Sequence, residues 1–188
     1  MNIYDEYPET VEVDGVTYRL NLAYDRVLRV LDYADLDLPP SDRLAVQCAW
    51  LLAEDEDLPQ SPQTQAKIIK VVFDLLPKPA EKHTERFIDF HQDAALIRSA
   101  FFRIGVDLIH DRIHILQFLE LLADLPSDTA LMRTVEIRQR PIPAPNKHNA
   151  EQIAALQKAK ARVAIRMSEE ERLSRFAESL KNSTVLRG

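Results

Sequence analysis

Glycine is nearly missing from this chain: three residues in 188, none adjacent to another. That excludes a glycine-rich phosphate loop, a dinucleotide-binding fingerprint and a nucleophile elbow, each of which needs closely spaced glycines so that backbone can approach a ligand. Cysteine is rarer still. The single Cys48 excludes an intrachain disulfide and a cysteine-based zinc site within one chain. It stands beside Ala49 and Trp50 in an apolar run, where a small buried hydrophobe is the expectation. No apolar run approaches the roughly 18 residues that a membrane-spanning helix needs. The N-terminal residues MNIYDEYPET carry neither the basic start nor the apolar stretch of a secretory signal. A cytoplasmic protein with no membrane partner is expected.

Positive charge is also scarce, and unevenly so. The net charge is −6. Residues 146–188 hold nine Lys/Arg against five Asp/Glu, whereas residues 1–145 hold fifteen against twenty-five. An acidic body with a mildly basic tail lacks the clustered Lys/Arg that phosphate contacts require, so no nucleic-acid partner is expected. The tail's basic residues alternate with Glu, as on a solvated helix face.

What the chain does have is helix-forming material. Its hydrophobic fraction is 46%, enough for a core, and Leu and Ala are abundant. The one strong β signal is TVEVDGVTYRL, residues 10–20, where Asp14-Gly15 separates two β-prone runs and predicts a hairpin. Two strands alone are marginal, so the hairpin must dock on helices or pair with another chain. Helices follow from the apolar spacing. One spans Ala23–Ala34. The next is capped by Ser41 after Pro39-Pro40, with Leu44, Cys48, Leu51 and Leu52 on one face. A third opens at Ser61-Pro62, turns Ile69, Val72, Phe73 and Leu76 inward, and stops at Pro77. KPAEKHTER, residues 78–86, reads as a loop.

Beyond it, Asp89 is placed to cap a helix with Gln92 as reciprocal partner. Ile97, Ala100, Phe101 and Ile104 form the stripe of that helix, and Gly105 sits at its C-terminal cap. A densely apolar helix over Asp111–Ala123 follows, expected to lie central in the core or under a partner. The stretch then closes with a Pro126-Ser127-Asp128-Thr129 cap and a short basic end at Arg138. PIPAP, residues 141–145, reads as a semi-rigid spacer. Past it, Ala150–Ile165 and Glu169–Lys181 have the spacing of two polar helices with thin apolar faces. These are marginal alone and suited to packing on something else. The expected fold is mostly α: a bundle-like body with an N-terminal hairpin over 1–140, the spacer, and a helical arm over 146–188. Leu173, Phe176 and Leu180 are the candidate partner-binding residues of that arm.

Chemistry finds little footing. His110 and His114, four apart, would share one face of a helix, with Asp107 and Asp111 nearby. No third ligand is set by spacing, and the Glu of a zincin helix is missing. Glu54–Asp57 lacks the alternation and central glycine of a calcium loop. Ser, His and Asp occur with no local tie between them. The expectation is a protein that is no enzyme and has no cofactor, no metal and no catalytic residue.

One stretch carries more. Asp89, Phe90, Gln92, Asp93 and Ala94 are followed by Ile97, Ala100 and Phe101. Then come the turn residues Gly105, Asp107 and Leu108, the pair His114 and Phe118, and the closing Leu122, Leu125, Asp128, Thr129 and Arg138. Upstream stand Val11, Val13, Asp14, Gly15 and Tyr18. In order and spacing this resembles the gene-product-15 family of tailed-phage proteins over about residues 10–140. The pattern departs at Ile104 and at Ile115-Leu116, where the family often carries Trp or Tyr. Within it, Phe90, Asp93, Phe101, Gly105, His114 and Phe118 mark the structural motif. The resemblance implies a siphophage tail assembly chaperone acting in the host cytoplasm. Its implied partners are the tape measure protein and the tail-tube protein, with self-association a further possibility. The alternative is a helical adaptor or regulatory protein that works through self-association.

Overall fold

The Asp-Gly pair does what its chemistry requires. Strands β1 (Thr10–Val13) and β2 (Val16–Arg19) pair antiparallel, with Thr10 opposite Arg19 and Val13 opposite Val16. Asp14 and Gly15 both take positive φ, 54° and 79°, the two left-handed residues of a hairpin turn whose twist matches its strands. Only β1 buries side chains, Val11 and Val13. The computed structural model describes residues 6–34, 36–77 and 86–166. Among them seven helices follow the hairpin: α1 (Tyr24–Ala34), α2 (Pro40–Leu51), α3 (Pro62–Leu75), α4 (Ala94–Arg103), α5 (Ile115–Ala123), α6 (Ala130–Gln139) and α7 (Ala150–Val163). The fold is mostly α, with a two-stranded sheet at its N-terminal side.

The chain divides into two compact units. One comprises Met1–Thr84 with Phe101–Leu125; the other comprises Glu85–Ala100 with Pro126–Gly188. The division falls inside α4 and just after Leu125, not at the expected boundaries of 140 and 146. PIPAP is a connection within the second unit. The reason is that α7 packs on α6 through a half-buried stripe containing Ile153, Leu156 and Val163. The rest of the expected arm, with Leu173, Phe176 and Leu180, lies outside the described residues.

In the first unit α1 packs on α2 and α5, α2 on α3, and β1 on α3. The hairpin is thus docked on helices, and Lys67 of α3 pairs with Asp14 at 2.5 Å. Its exit is tied to the end of α2: the Asn21 N–H donates to the Leu51 carbonyl, and the Ala53 N–H to the Arg19 carbonyl. The core comprises Val27, Val30, Cys48, Leu51, Leu52, Ile68, Val72, Phe101 and Phe118, all essentially inaccessible. Tyr24, Phe118 and Phe101 stack in series, with centroid separations of 4.9 and 5.0 Å. Burial pushes the Cys48 thiol up to about 11, so it is an inert core residue at neutral pH.

Several local expectations shift by a few residues. α2 is not capped by Ser41. It begins at Pro40, whose fixed φ suits the first helical position, with Pro39 before it. α3 starts as expected: the Ser61 hydroxyl accepts from the Thr64 N–H, and Pro62 follows. Its inward face is Ile68, Ile69 and Val72, with Phe73 and Leu76 only half-buried. α5 begins at Ile115 rather than near Asp111. Residues 113–115 are held extended against residues 22–24: Tyr24 donates to the Ile113 carbonyl and Ile115 to the Leu22 carbonyl. A backbone committed to that bridge cannot enter the helix.

Candidate functional site

The family-like motif resolves into separate arrangements, each built inside one unit. In the second unit the polar residues converge. Asp89 precedes a turn leading into α4, and its Oδ1 accepts the N–H groups of His91 and Gln92 at 2.9 and 2.7 Å. The reciprocal bond comes from Asp93, not Gln92: Asp93 Oδ2 accepts the Asp89 N–H at 2.9 Å. Asp93 then binds Arg138, near the end of α6, through both guanidinium nitrogens at 2.5 and 2.9 Å. Both side chains are withdrawn from solvent, 3% and 7% exposed. Arg138 spends its remaining donors on backbone, giving 2.7 Å to the Phe87 carbonyl and 2.6 Å to the Val163 carbonyl. A planar fork can satisfy a carboxylate and two carbonyls together, which a lysine cannot.

Gln92 is freed for another task. Its Nε2 donates to the Ala164 carbonyl, and its Oε1 accepts the Arg166 N–H, both at 2.9 Å. At Asp89, burial works to raise the carboxyl. The N–H groups of Gln92 and His91 and the Arg86 guanidinium outweigh it and hold the group below its ordinary range. Phe90 beside it is half-buried.

In the first unit the motif supplies core and corners. Phe101 and Phe118 are buried and stacked. Gly105, at φ +87°, ends α4: its N–H reaches the Phe102 carbonyl and the Val106 N–H reaches the Phe101 carbonyl. That double closure requires a left-handed residue. Asp107 and Asp111 then close a turn on each other. The Asp107 N–H donates to Asp111 Oδ2, and the Asp111 N–H to the Asp107 carbonyl. His110 Nδ1 meets Asp107 Oδ2 at 2.7 Å in the open, and this bond with the Asp107 charge raises the imidazole pKa. These residues are consumed by their own turn.

His114 is the N-cap of α5. Its Nδ1 accepts the Leu116 N–H at 3.1 Å, which fixes the neutral tautomer with hydrogen on Nε2. So His110 and His114 do not share a helix face, and among the described residues no group of three or more His, Cys, Asp or Glu gathers as a metal site. Tyr7 stacks on the His114 ring at 4.7 Å and donates to Glu120 at 2.7 Å. Desolvation by burial lowers the His114 pKa, opposed by the Pro8 carbonyl and by Glu9 and Glu120. Nε2 itself has no partner in good hydrogen-bond geometry, so the Pro8 carbonyl acts on it as a nearby dipole.

Two apolar side chains beside the Gly105 corner, unmarked by helical spacing, are exposed: Phe102 at 70% and Ile109 at 71%. Ile104, expected in the α4 stripe, is also exposed. The available signal is that Phe102 falls off the stripe formed by Ile97, Ala100, Phe101 and Ile104. The missed pairing of Asp93 with Arg138 had no sequence signal other than both belonging to the motif.

Comparison with known proteins agrees with the motif. The family model described as Bacteriophage Gp15 protein matches residues 3–165. No curated protein and no solved structure matches the chain. The chain belongs to the Gp15 family and is a bacteriophage structural or assembly-related protein.

Proposed function

From this membership, we propose that the chain is a non-enzymatic tail assembly chaperone. It binds the tape measure protein and helps recruit tail-tube subunits in the host cytoplasm. The observation that carries the reading is the family match across residues 3–165. The chemistry described above is compatible with it. The polar residues of the motif are engaged in caps, a buried ion pair and backbone contacts, which are structural tasks. Phe102 and Ile109 offer apolar surface to an amphipathic helix, and the acidic body keeps such a protein soluble. Among the described residues no helix is long and apolar enough to cross a membrane.

The test is co-expression with the tape measure protein of the same phage. The expected result is a soluble complex that co-purifies. Phe102→Asp with Ile109→Asp should weaken capture while the free protein melts as before. A parallel set at Leu173, Phe176 and Leu180 reports on the tail. A tape measure protein that is equally insoluble with and without this chain, and never co-purifies, would sink the proposal.

A further inference from the structure

The second unit holds α7 in an unusual way. No residue of α7 is buried; Ile153, Leu156 and Val163 are half-buried against α6. Its C-terminal end is fixed by side chains that grip backbone. Gln92 binds the Ala164 carbonyl and the Arg166 N–H, both at 2.9 Å. Arg138 Nε donates to the Val163 carbonyl at 2.6 Å, and Lys160 Nζ to the Arg138 carbonyl at 2.7 Å. A carbonyl and an N–H two residues apart, taken by one amide, is the pairing an adjacent strand would offer. Gln92 therefore recognises an extended backbone irrespective of its side chains, and Ala164 is extended (φ −56°, ψ 137°).

At the other end the segment closes on itself. Asn149 Nδ2 donates to the Ala144 carbonyl, and Asn149 Oδ1 accepts the Asn146 N–H. Ala144–Arg166 is thus one piece with its own corner. Only Arg140–Pro143 joins it to α6, and every residue there is exposed. Pro141, Pro143 and Pro145 hold the residues before them extended, so this strap is stiff and spans a narrow range of distances.

A self-closed piece, gripped through backbone and hung on an exposed stiff strap, is exchangeable. We propose that the Gln92–Arg138 clasp also accepts the Ala144–Arg166 piece of a second copy of this chain, so that α7 swaps between two molecules. Each copy then supplies the Val163–Arg166 backbone to the other's clasp. The contacts are the same in both arrangements, and only the course of the strap changes. The inference does not depend on the chaperone reading.

The experiment is sedimentation equilibrium of the full chain without any partner, with two strap variants. One deletes Ile142–Pro143; the other inserts six Gly/Ser residues between them. The wild type should show a concentration-dependent dimer. The short strap should tighten that dimer by about tenfold or more, because return to the chain's own α6 is hindered. The long strap should weaken it by about tenfold, because lengthening a short, stiff hinge loop favours return to the same chain. A wild type that is monomeric throughout overturns the proposal, as does a dimer indifferent to strap length. If the short variant fails to fold, the long one decides alone: a weaker dimer supports the swap and an unchanged one overturns it. Tape measure binding plays no part in this readout, so either reading can fail without the other.

Discussion

The two units are held together by different physics. The first has a hydrocarbon core of Leu, Ile, Val and a stack of Tyr24, Phe118 and Phe101. Among the described residues the second has few buried apolar side chains (Ile97, Ala100, Leu131 and Val135), together with buried Asp89, Asp93, Thr129 and Asn149 and the Asp93–Arg138 pair. A core of dispersion and desolvation tolerates local adjustment. A buried ion pair works only if both partners and their remaining hydrogen bonds are present. The motif straddles both kinds of stabilisation, so its residues should fail in different ways when changed.

The largest expected effect tests the apolar side. Phe118→Ala should destabilise the first unit by about 3–5 kcal/mol, read by urea denaturation, with hydrogen exchange showing the loss in α1 and α5. A melting temperature that barely moves while partner binding vanishes would mean that Phe118 serves an interface instead. On the polar side, Arg138→Ala or Asp93→Ala should each cost about 3–5 kcal/mol, because a buried charge is left alone. Replacing both, Asp93→Leu with Arg138→Met, should cost far less than the two single changes summed. An additive double mutant would show that the ion pair is not the centre of that unit.

Gly105→Ala probes the corner that ends α4. A Cβ there meets nothing within 4 Å, so the cost is backbone conformation alone, about 1–2 kcal/mol in thermal unfolding. Asn should recover part of it. A loss much above this would point to a packing role for the corner.

The smallest effect is one of pH. Because the His114 pKa is lowered in the fold from 6.5, the unfolded chain takes up the proton more readily. Its contribution to stability is fully present above 6.5 and is lost as pH falls below that value. Protonation also removes the acceptor that caps α5. His114→Asn keeps a cap acceptor but cannot titrate, so the decline in stability between pH 7 and 5 should be shallower in that variant. Equal slopes would remove His114 from the account.

Local chemistry was legible wherever the decisive atoms are neighbours in sequence. Asp14-Gly15 specifies the hairpin turn, Ser61-Pro62 the start of α3 and Gly105 the end of α4. Reading failed where a distant segment competed for the same backbone. Periodicity extends α5 back to Asp111, but the pairing of residues 113–115 with 22–24 withholds that turn. Spacing pairs Gln92 with Asp89, yet Asp93 takes the Asp89 N–H and Gln92 reaches Ala164 and Arg166, more than seventy residues away.

By itself, then, the sequence determined the fold class, the hairpin turn, the start of α3, the end of α4 and, through an ordered motif, its family. Each of these depends on short-range sterics, on the period of apolar residues, or on residue identity. Only the tertiary structure decided where the compact units divide, that Arg138 neutralises Asp93, and that the proline-rich strap returns α7 to α6. Those outcomes depend on which groups a folded chain brings within 3 Å of one another, and linear spacing does not contain that distance.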